Sequence, residues 1–183
     1  MERLSLLFFC FLAVNGAFAQ TGQQFPEMEG ESLTNEMLSI PQDLKGKYSI
    51  IGLAYSKKSE SALKTWFEPA YYQFLHEPEQ PSLFAGSYDV NLYFIPMFTG
   101  AKRPAYKAVM NKMKKSIDKK LLPYVLFYKG ELKKYKNALD FKGNDVPYFF
   151  VLDKDGKIIY TTSGRYTETK MREIADQIED SWN

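Results

Sequence analysis

Asp145 to Gly164 reads D-V-P-Y-F-F-V-L-D-K-D-G-K-I-I-Y-T-T-S-G. Tyr148 to Leu152 is an unbroken run of aromatic and branched side chains, the composition of a strand. Lys154-Asp155-Gly156-Lys157 then supplies the Asp-Gly pair of a tight turn, because Gly takes the left-handed backbone at no steric cost. Lys157 to Thr161 returns as the partner strand, and Gly164 ends it. Thr167 is placed as a helix N-cap, and Met171, Ile174, Ala175 and Ile178 recur at helical spacing behind it. The block therefore predicts a hairpin and a closing helix, with Trp182 near its end.

Working towards the N-terminus, the pattern changes to strands alternating with helices. Tyr48–Tyr55 is nearly continuous in apolar character, as a strand buried on both faces should be. A helix follows from Ser59 to Leu75, with Ser56 or Ser59 as its cap, Ala62, Trp66, Ala70 and Phe74 on one face, and a kink or break expected at Pro69. Val90–Met97 reads as the second strand. Pro104–Asp118 reads as the second helix, whose stripe of Tyr106, Val109, Met110, Met113 and Ile117 is core rather than a metal box. Leu121–Tyr128 is apolar without a clear period, and Leu132–Leu139 reads as a short helix. Leu33–Ile40 stays ambiguous, and Phe25 to Met28 is an extended lead-in. Strand-helix-strand units imply parallel pairing and the late hairpin an antiparallel edge, so the fold class is α/β: a central mixed sheet between helices.

The first residues belong to a different class of segment. Arg3 precedes an apolar stretch from Leu4 to Val14, and Ala17-Phe18-Ala19 has the small-x-small form of a cleavage site. This predicts a secretory signal peptide over 1–19, cut between Ala19 and Gln20, then an N-terminal extension over 20–46 and a domain over 47–183. A retained anchor is the alternative, for which the apolar stretch falls short of the roughly 20 residues of a span. The expected location is periplasmic or extracellular. Cys10 is the only cysteine in the chain and lies in that leader; His76 is the only histidine. With the leader removed, the chain has no thiol, disulfide or thiolate ligand, and one His cannot make a typical zinc or copper site, so neither cofactor nor metal is expected.

The net charge of +2 gives no overall drive towards nucleic acid. The charge is uneven, however: twelve Lys or Arg residues lie between Lys102 and Lys136, against Asp118 and Glu131. Lys102, Arg103, Lys107, Lys112, Lys114 and Lys115 form a candidate basic docking face for an acidic protein or a membrane surface. The same lysines also read simply as the solvated side of an amphipathic helix. No feature fixes an oligomeric state.

Val146-Pro147 ahead of a strand, the Asp153-Lys-Asp-Gly156 turn, Gly164 and the closing helix together resemble the C-terminal half of the thioredoxin-like fold. Phe25-Pro26 and Leu44-Lys-Gly-Lys47 resemble the lead into the first strand of its TlpA and peroxiredoxin-like branch. Thr65-Trp66-Phe67-Glu68-Pro69 resembles the Ser-Trp-x-x-Pro segment of the mitochondrial ATP synthase assembly-factor family, with Thr where that family has Ser. The resemblance implies a three-layer α/β/α architecture. It also implies that Ser56, Lys57, Lys58 and Ser59 occupy the turn where active members carry a Cys-x-x-Cys or a peroxidatic Cys. Serine has neither the acidity nor the redox couple of a thiolate at a helix N-terminus. Val146-Pro147 then corresponds to the segment facing that turn, and the analogy implies a cis peptide there, whereas X-Pro bonds at large are cis in only about 5–6% of cases.

Other chemistry is poorly supported. A serine nucleophile would need a base; His76 sits beside a Pro-rich loop and no Gly-x-Ser-x-Gly elbow occurs. Adjacent lysines at Ser56–Ser59 are more often solvated than catalytic. Asp153-x-Asp155-Gly156 lacks the further ligands of a calcium loop. The sequence thus predicts an exported, redox-inactive thioredoxin-like domain with no catalytic residue, acting as a protein-binding or assembly factor. The rival reading is a thioredoxin-like oxidoreductase or peroxidase, and a third is a small-ligand carrier using the aromatic core edge.

Overall fold

Strand β3 (Tyr48–Ala54) is buried at every residue but the first, and the computed structural model shows why. It lies between β4 (Val90–Thr99), which runs parallel to it, and β6 (Tyr148–Leu152), which runs antiparallel. The structure describes residues 20–76 and 88–180. Their strands form one seven-stranded sheet in the order β2-β1-β5-β4-β3-β6-β7, with β1 at Met28–Ser32, β2 at Met37–Ile40, β5 at Leu126–Gly130 and β7 at Ile158–Ser163. Helices α1 (Lys57–Leu63), α2 (Phe67–Phe74), α3 (Tyr106–Ser116) and α5 (Glu168–Glu179) pack with one apolar cluster, through Leu63, Phe67, Met110, Met113, Ile174 and Ile178. Helix α4 (Lys133–Ala138) and the chain around Phe25 contribute to the other, through Tyr135, Leu139, Phe141 and Phe150. This mixed sheet between helices is the expected three-layer α/β class.

The C-terminal block follows its sequence closely. Gly156 has φ +83°, and a Cβ there would meet Pro41 at 2.7 Å, so the turn needs glycine for two reasons. Thr167 Oγ1 accepts from the Lys170 amide, and Met171, Ile174, Ala175 and Ile178 are the buried residues of α5. Trp182 lies outside the described residues. Gly52 leaves room for the Phe149 ring and for Leu63 of α1, since a Cβ there would meet them at 2.6 Å and 2.9 Å.

Two expectations are corrected, and two segments left open by the sequence resolve. The helix expected over 59–75 is two helices, α1 and α2, joined by a 3-10 turn at Lys64–Trp66, so the break precedes Pro69. Pro69 has no N–H to bond the carbonyl four residues back; it is tolerated in the first turn of α2, and the chain rewinds ahead of it. The ambiguous Leu33–Ile40 segment holds β2, which pairs with β1, and β1 pairs with β5 through Glu31↔Phe127 and Ser32↔Leu126. Residues of the N-terminal extension are thus part of the sheet. Leu121–Tyr128 divides into a 3-10 helix, Lys119–Tyr124, and the start of β5. The Val146–Pro147 bond is not cis; among the described residues the cis peptide is Ile40–Pro41. At Val146–Pro147 the bond is trans, and β6 begins at the next residue, Tyr148, after a bend over residues 144–146.

The Trp-x-x-Pro segment acts as a clamp. The Trp66 indole N–H donates to the Gly164 carbonyl at 3.0 Å, and Thr65 Oγ1 accepts from the Tyr166 amide at 3.1 Å. Trp66 also packs on Phe149, ring centroids 4.1 Å apart, and meets Tyr166 edge-on. Helix, sheet and the β7–α5 corner are tied at one residue.

Candidate functional site

The turn after β3 opens α1 with a reciprocal cap. Ser56 is extended at φ −127° and ψ 160°, and its Oγ accepts from the Ser59 amide at 3.0 Å. Ser59 Oγ accepts in return from the Ser56 amide at 2.9 Å and donates to the Ser56 carbonyl at 3.0 Å. The two hydroxyl oxygens lie 3.0 Å apart, and Ser59 is fully buried. Both serines therefore spend their bonding capacity on each other and on the helix end, which is the role of a capping box. Lys57 and Lys58 point outward.

This turn and the Val146-Pro147 segment come to the same end of the sheet. In the β3–β6 ladder Leu53 lies opposite Tyr148, so the chain beyond each converges. Lys58 Nζ reaches Asp145 Oδ2 at 2.8 Å, which spans the gap between the turn and the residues before Pro147. Both partners are well exposed, so the pair fixes geometry more than it adds stability.

Three aromatic rings that no sequence pattern marks support the segment. Tyr55 stacks on Phe141 at 5.2 Å, Phe141 on Tyr148 at 4.6 Å, and the Tyr55 and Tyr148 rings are nearly parallel. The Tyr55 hydroxyl donates to the Gly143 carbonyl, while the Tyr148 hydroxyl accepts from the Gly143 amide at 2.8 Å. Tyr55 and Gly143 are 88 positions apart, so only the tertiary fold joins them. Burial, and then the neighbouring Tyr148, push the Tyr55 hydroxyl up to about 12, and burial with Glu173 pushes Tyr160 to about 12. A raised folded-state value means that the folded chain holds these protons more tightly. Their contribution is complete below pH about 10, the ordinary tyrosine range, and is lost as pH rises towards 12. We expect the Tyr55→Phe variant to lose tyrosinate absorbance only from the alkaline end of the titration, towards pH 12, relative to the unaltered chain. Loss of absorbance near pH 10 in that variant would contradict the buried clasp.

Beside Val146 lies a cleft of about 490 Å³, lined by Gln20, Val146, Tyr148, Phe150, Thr161 and Ser163 among others. Gln20, the first residue after the expected cleavage point, is held there by its side-chain amide, which donates to the Leu139 carbonyl at 2.7 Å. Ala19 lies outside the described residues.

The candidate basic face divides in two. Lys102 turns inward, donating to the Tyr55 carbonyl at 3.1 Å and pairing with Glu60 at 3.0 Å, and the Arg103 Nε–H donates to the Gly130 carbonyl at 3.0 Å. Lys102 is a structural tie at the turn, and Arg103 is one to the end of β5. Lys107, Lys112, Lys114 and Lys115 are exposed along α3. Among the described residues no group of three or more His, Cys, Asp or Glu side chains could hold a metal ion, and no helix is long and apolar enough to cross a membrane.

The family model described as ATP10 protein matches residues 11–179, most of the chain. The chain belongs to the ATP10 protein family. The resemblance seen in Thr65–Pro69 therefore points the right way, although the segment acts here as a structural clamp. Solved structures bear out the thioredoxin-like fold of this ATP10 family member. A putative thiol:disulfide interchange protein DsbE from Chlorobium tepidum matches with a TM-score of 0.55 at 12% identity, covering 89% of this chain and 98% of that one. StoA from Bacillus subtilis matches with a TM-score of 0.52 at 17% identity, covering 82% and 96%. Yeast Sco1 matches with a TM-score of 0.50 at 18% identity, covering 86% and 95%. At such identities the likeness is one of fold alone. No curated protein matches the sequence.

Proposed function

We propose that this ATP10 family member is an exported, redox-inactive assembly factor that holds a partner polypeptide across the cleft between Ser56–Ser59 and Val146-Pro147. The observation that carries the reading is the serine cap: where the thioredoxin-like resemblance calls for cysteine, both side chains are committed to a helix end. Beyond Cys10 the sequence offers no thiol for an oxidoreductase cycle. Family membership supports an assembly role, and the leader-like 1–19 segment supports export to a periplasm or the cell exterior. The exposed lysines of α3 suit a second contact, with an acidic partner or anionic headgroups. In vivo cross-linking with Tyr55→Ala and Pro147→Ala variants tests the cleft. Partner recovery should fall about tenfold, the equivalent of roughly 1.4 kcal/mol of binding. Recovery equal to that of the unaltered chain, with both variants folded, removes the cleft from the account.

A further inference from the structure

We infer that the outer edge of β7 accepts an extended segment of a partner polypeptide, apolar at alternate positions, as an added strand. The inference rests on the assembly-factor reading but concerns a different surface. Strand β7 is last in the sheet order. The Gly164 amide donates to the Pro147 carbonyl at 2.9 Å, and this sets the phase of the β6–β7 ladder. Counting back by two, Thr162 and Tyr160, opposite Phe149 and Val151, turn their main chain towards β6. Thr161 and Ser163 therefore turn theirs outward.

The same edge already carries a strand at its other end. The Gly22 amide donates to the Ile158 carbonyl at 2.7 Å, the Ile158 amide to the Gln23 carbonyl at 2.9 Å, and the Phe25 amide to the Gly156 carbonyl at 3.0 Å. The chain then leaves at a turn in which the Gln23 amide donates to the Gln20 carbonyl at 3.2 Å. Among the described residues nothing bonds the main chain of Thr161 or Ser163 on the outer side. Edge strands are usually blocked by Lys, Pro, an inward charge or a bulge; Ile158–Ser163 has no Lys, Pro or charge, and its one bulge, at Ile159, precedes the Tyr160–Ser163 stretch. The pairs Tyr148↔Ser163 and Phe150↔Thr161 put these four side chains on one face, where with Val146 they line the 490 Å³ pocket, which Ser56–Ser59 do not line. A residue opposite Thr161 would send its side chain beside Thr161, towards the pocket where Val146 and the Tyr148 ring are partly exposed, which favours an apolar one. A second copy offers a poorer occupant, since its own residues 22–25 cover the first part of the same edge.

The test uses a fluorescent peptide, Lys-Val-Thr-Val-Thr-Val-Lys, and the same peptide N-methylated at alternate residues so that one edge cannot donate. Anisotropy should show saturable binding to the chain, and amide exchange at Thr161 and Ser163 should slow by about tenfold or more, as added-strand pairing requires. The methylated peptide should not bind. Thr161→Pro, which removes only an outward N–H, should weaken binding by about tenfold or more. Should that variant fail to fold, the methylated peptide on the unaltered chain decides the matter alone. Absence of binding, equal binding of both peptides, or exchange that slows with protein concentration without peptide would each overturn the inference; the last would indicate self-pairing. Failure here with Tyr55-dependent cross-linking intact removes this edge alone, and the reverse outcome removes the cleft alone.

Discussion

Replacing Ser56 and Ser59 together by Cys is expected to give residues 20–183 a disulfide that forms under mild oxidation and opens with reductant. The two hydroxyl oxygens already lie 3.0 Å apart across the cap, in Cys-x-x-Cys register at the start of α1. A disulfide needs its sulfurs at about 2.05 Å, so the side chains must close by roughly an ångström, which two χ1 adjustments supply. The N-terminus of the helix and the nearby Lys58 should lower the pKa of the exposed thiol and favour exchange. Loss of the cap should cost about 1 kcal/mol per serine, too little to unfold the domain. Thiol titration should count two groups after reduction and none after equilibration with oxidised glutathione. Two free thiols under both conditions would show that this turn does not have the geometry of a redox site, and the reading of a silenced scaffold would lose its main support.

Trp66→Ala should be the most damaging single substitution in the clamp. Trp66 is only 1% exposed, packs on Phe149 at 4.1 Å and donates to Gly164. Deleting a buried Trp side chain typically costs about 3–5 kcal/mol through lost transfer energy and the cavity left behind. The Gly164 carbonyl would also lose its partner, at about 1–3 kcal/mol if no water replaces it. Against a total stability of about 5–15 kcal/mol, chemical denaturation should show a large loss or no folded state at all. Trp66→Phe should keep part of the packing and separate the two effects. A loss below about 1 kcal/mol for the alanine variant would mean that the clamp is not formed.

Reading the fold from sequence worked where local chemistry decides the outcome. The Asp155-Gly156 turn, the Thr167 cap and the apolar stripe of α5 are each fixed by nearest neighbours and helical spacing, and the structure reproduces them. The β1–β2 hairpin escaped because Met28–Ser32 carries Glu29, Gly30 and Glu31, which carry no apolar alternation; its strand character comes from pairing with β5, about a hundred positions on. Pro69 signals a kink or break, and the break falls one turn earlier, at Lys64–Trp66, where its missing donor acts. The site was legible in part. Ser56–Ser59 and Val146-Pro147 could be placed by analogy, while the cis bond implied for the second could not. The Tyr55–Phe141–Tyr148 clasp on Gly143 and the inward turn of Lys102 and Arg103 arise from contacts distant in sequence, which composition does not encode.

If the protein works as proposed, by holding a partner without sulfur chemistry, removing its sulfhydryl should leave that partner bound. The most direct measurement is in vivo cross-linking in the native host of the full chain carrying Cys10→Ala, compared with the unaltered chain at matched abundance. Equal recovery of the same partner is expected if the protein holds it without the one sulfhydryl in the sequence, that of Cys10. Loss of the partner from the variant, with abundance and leader processing unchanged, would contradict the claim.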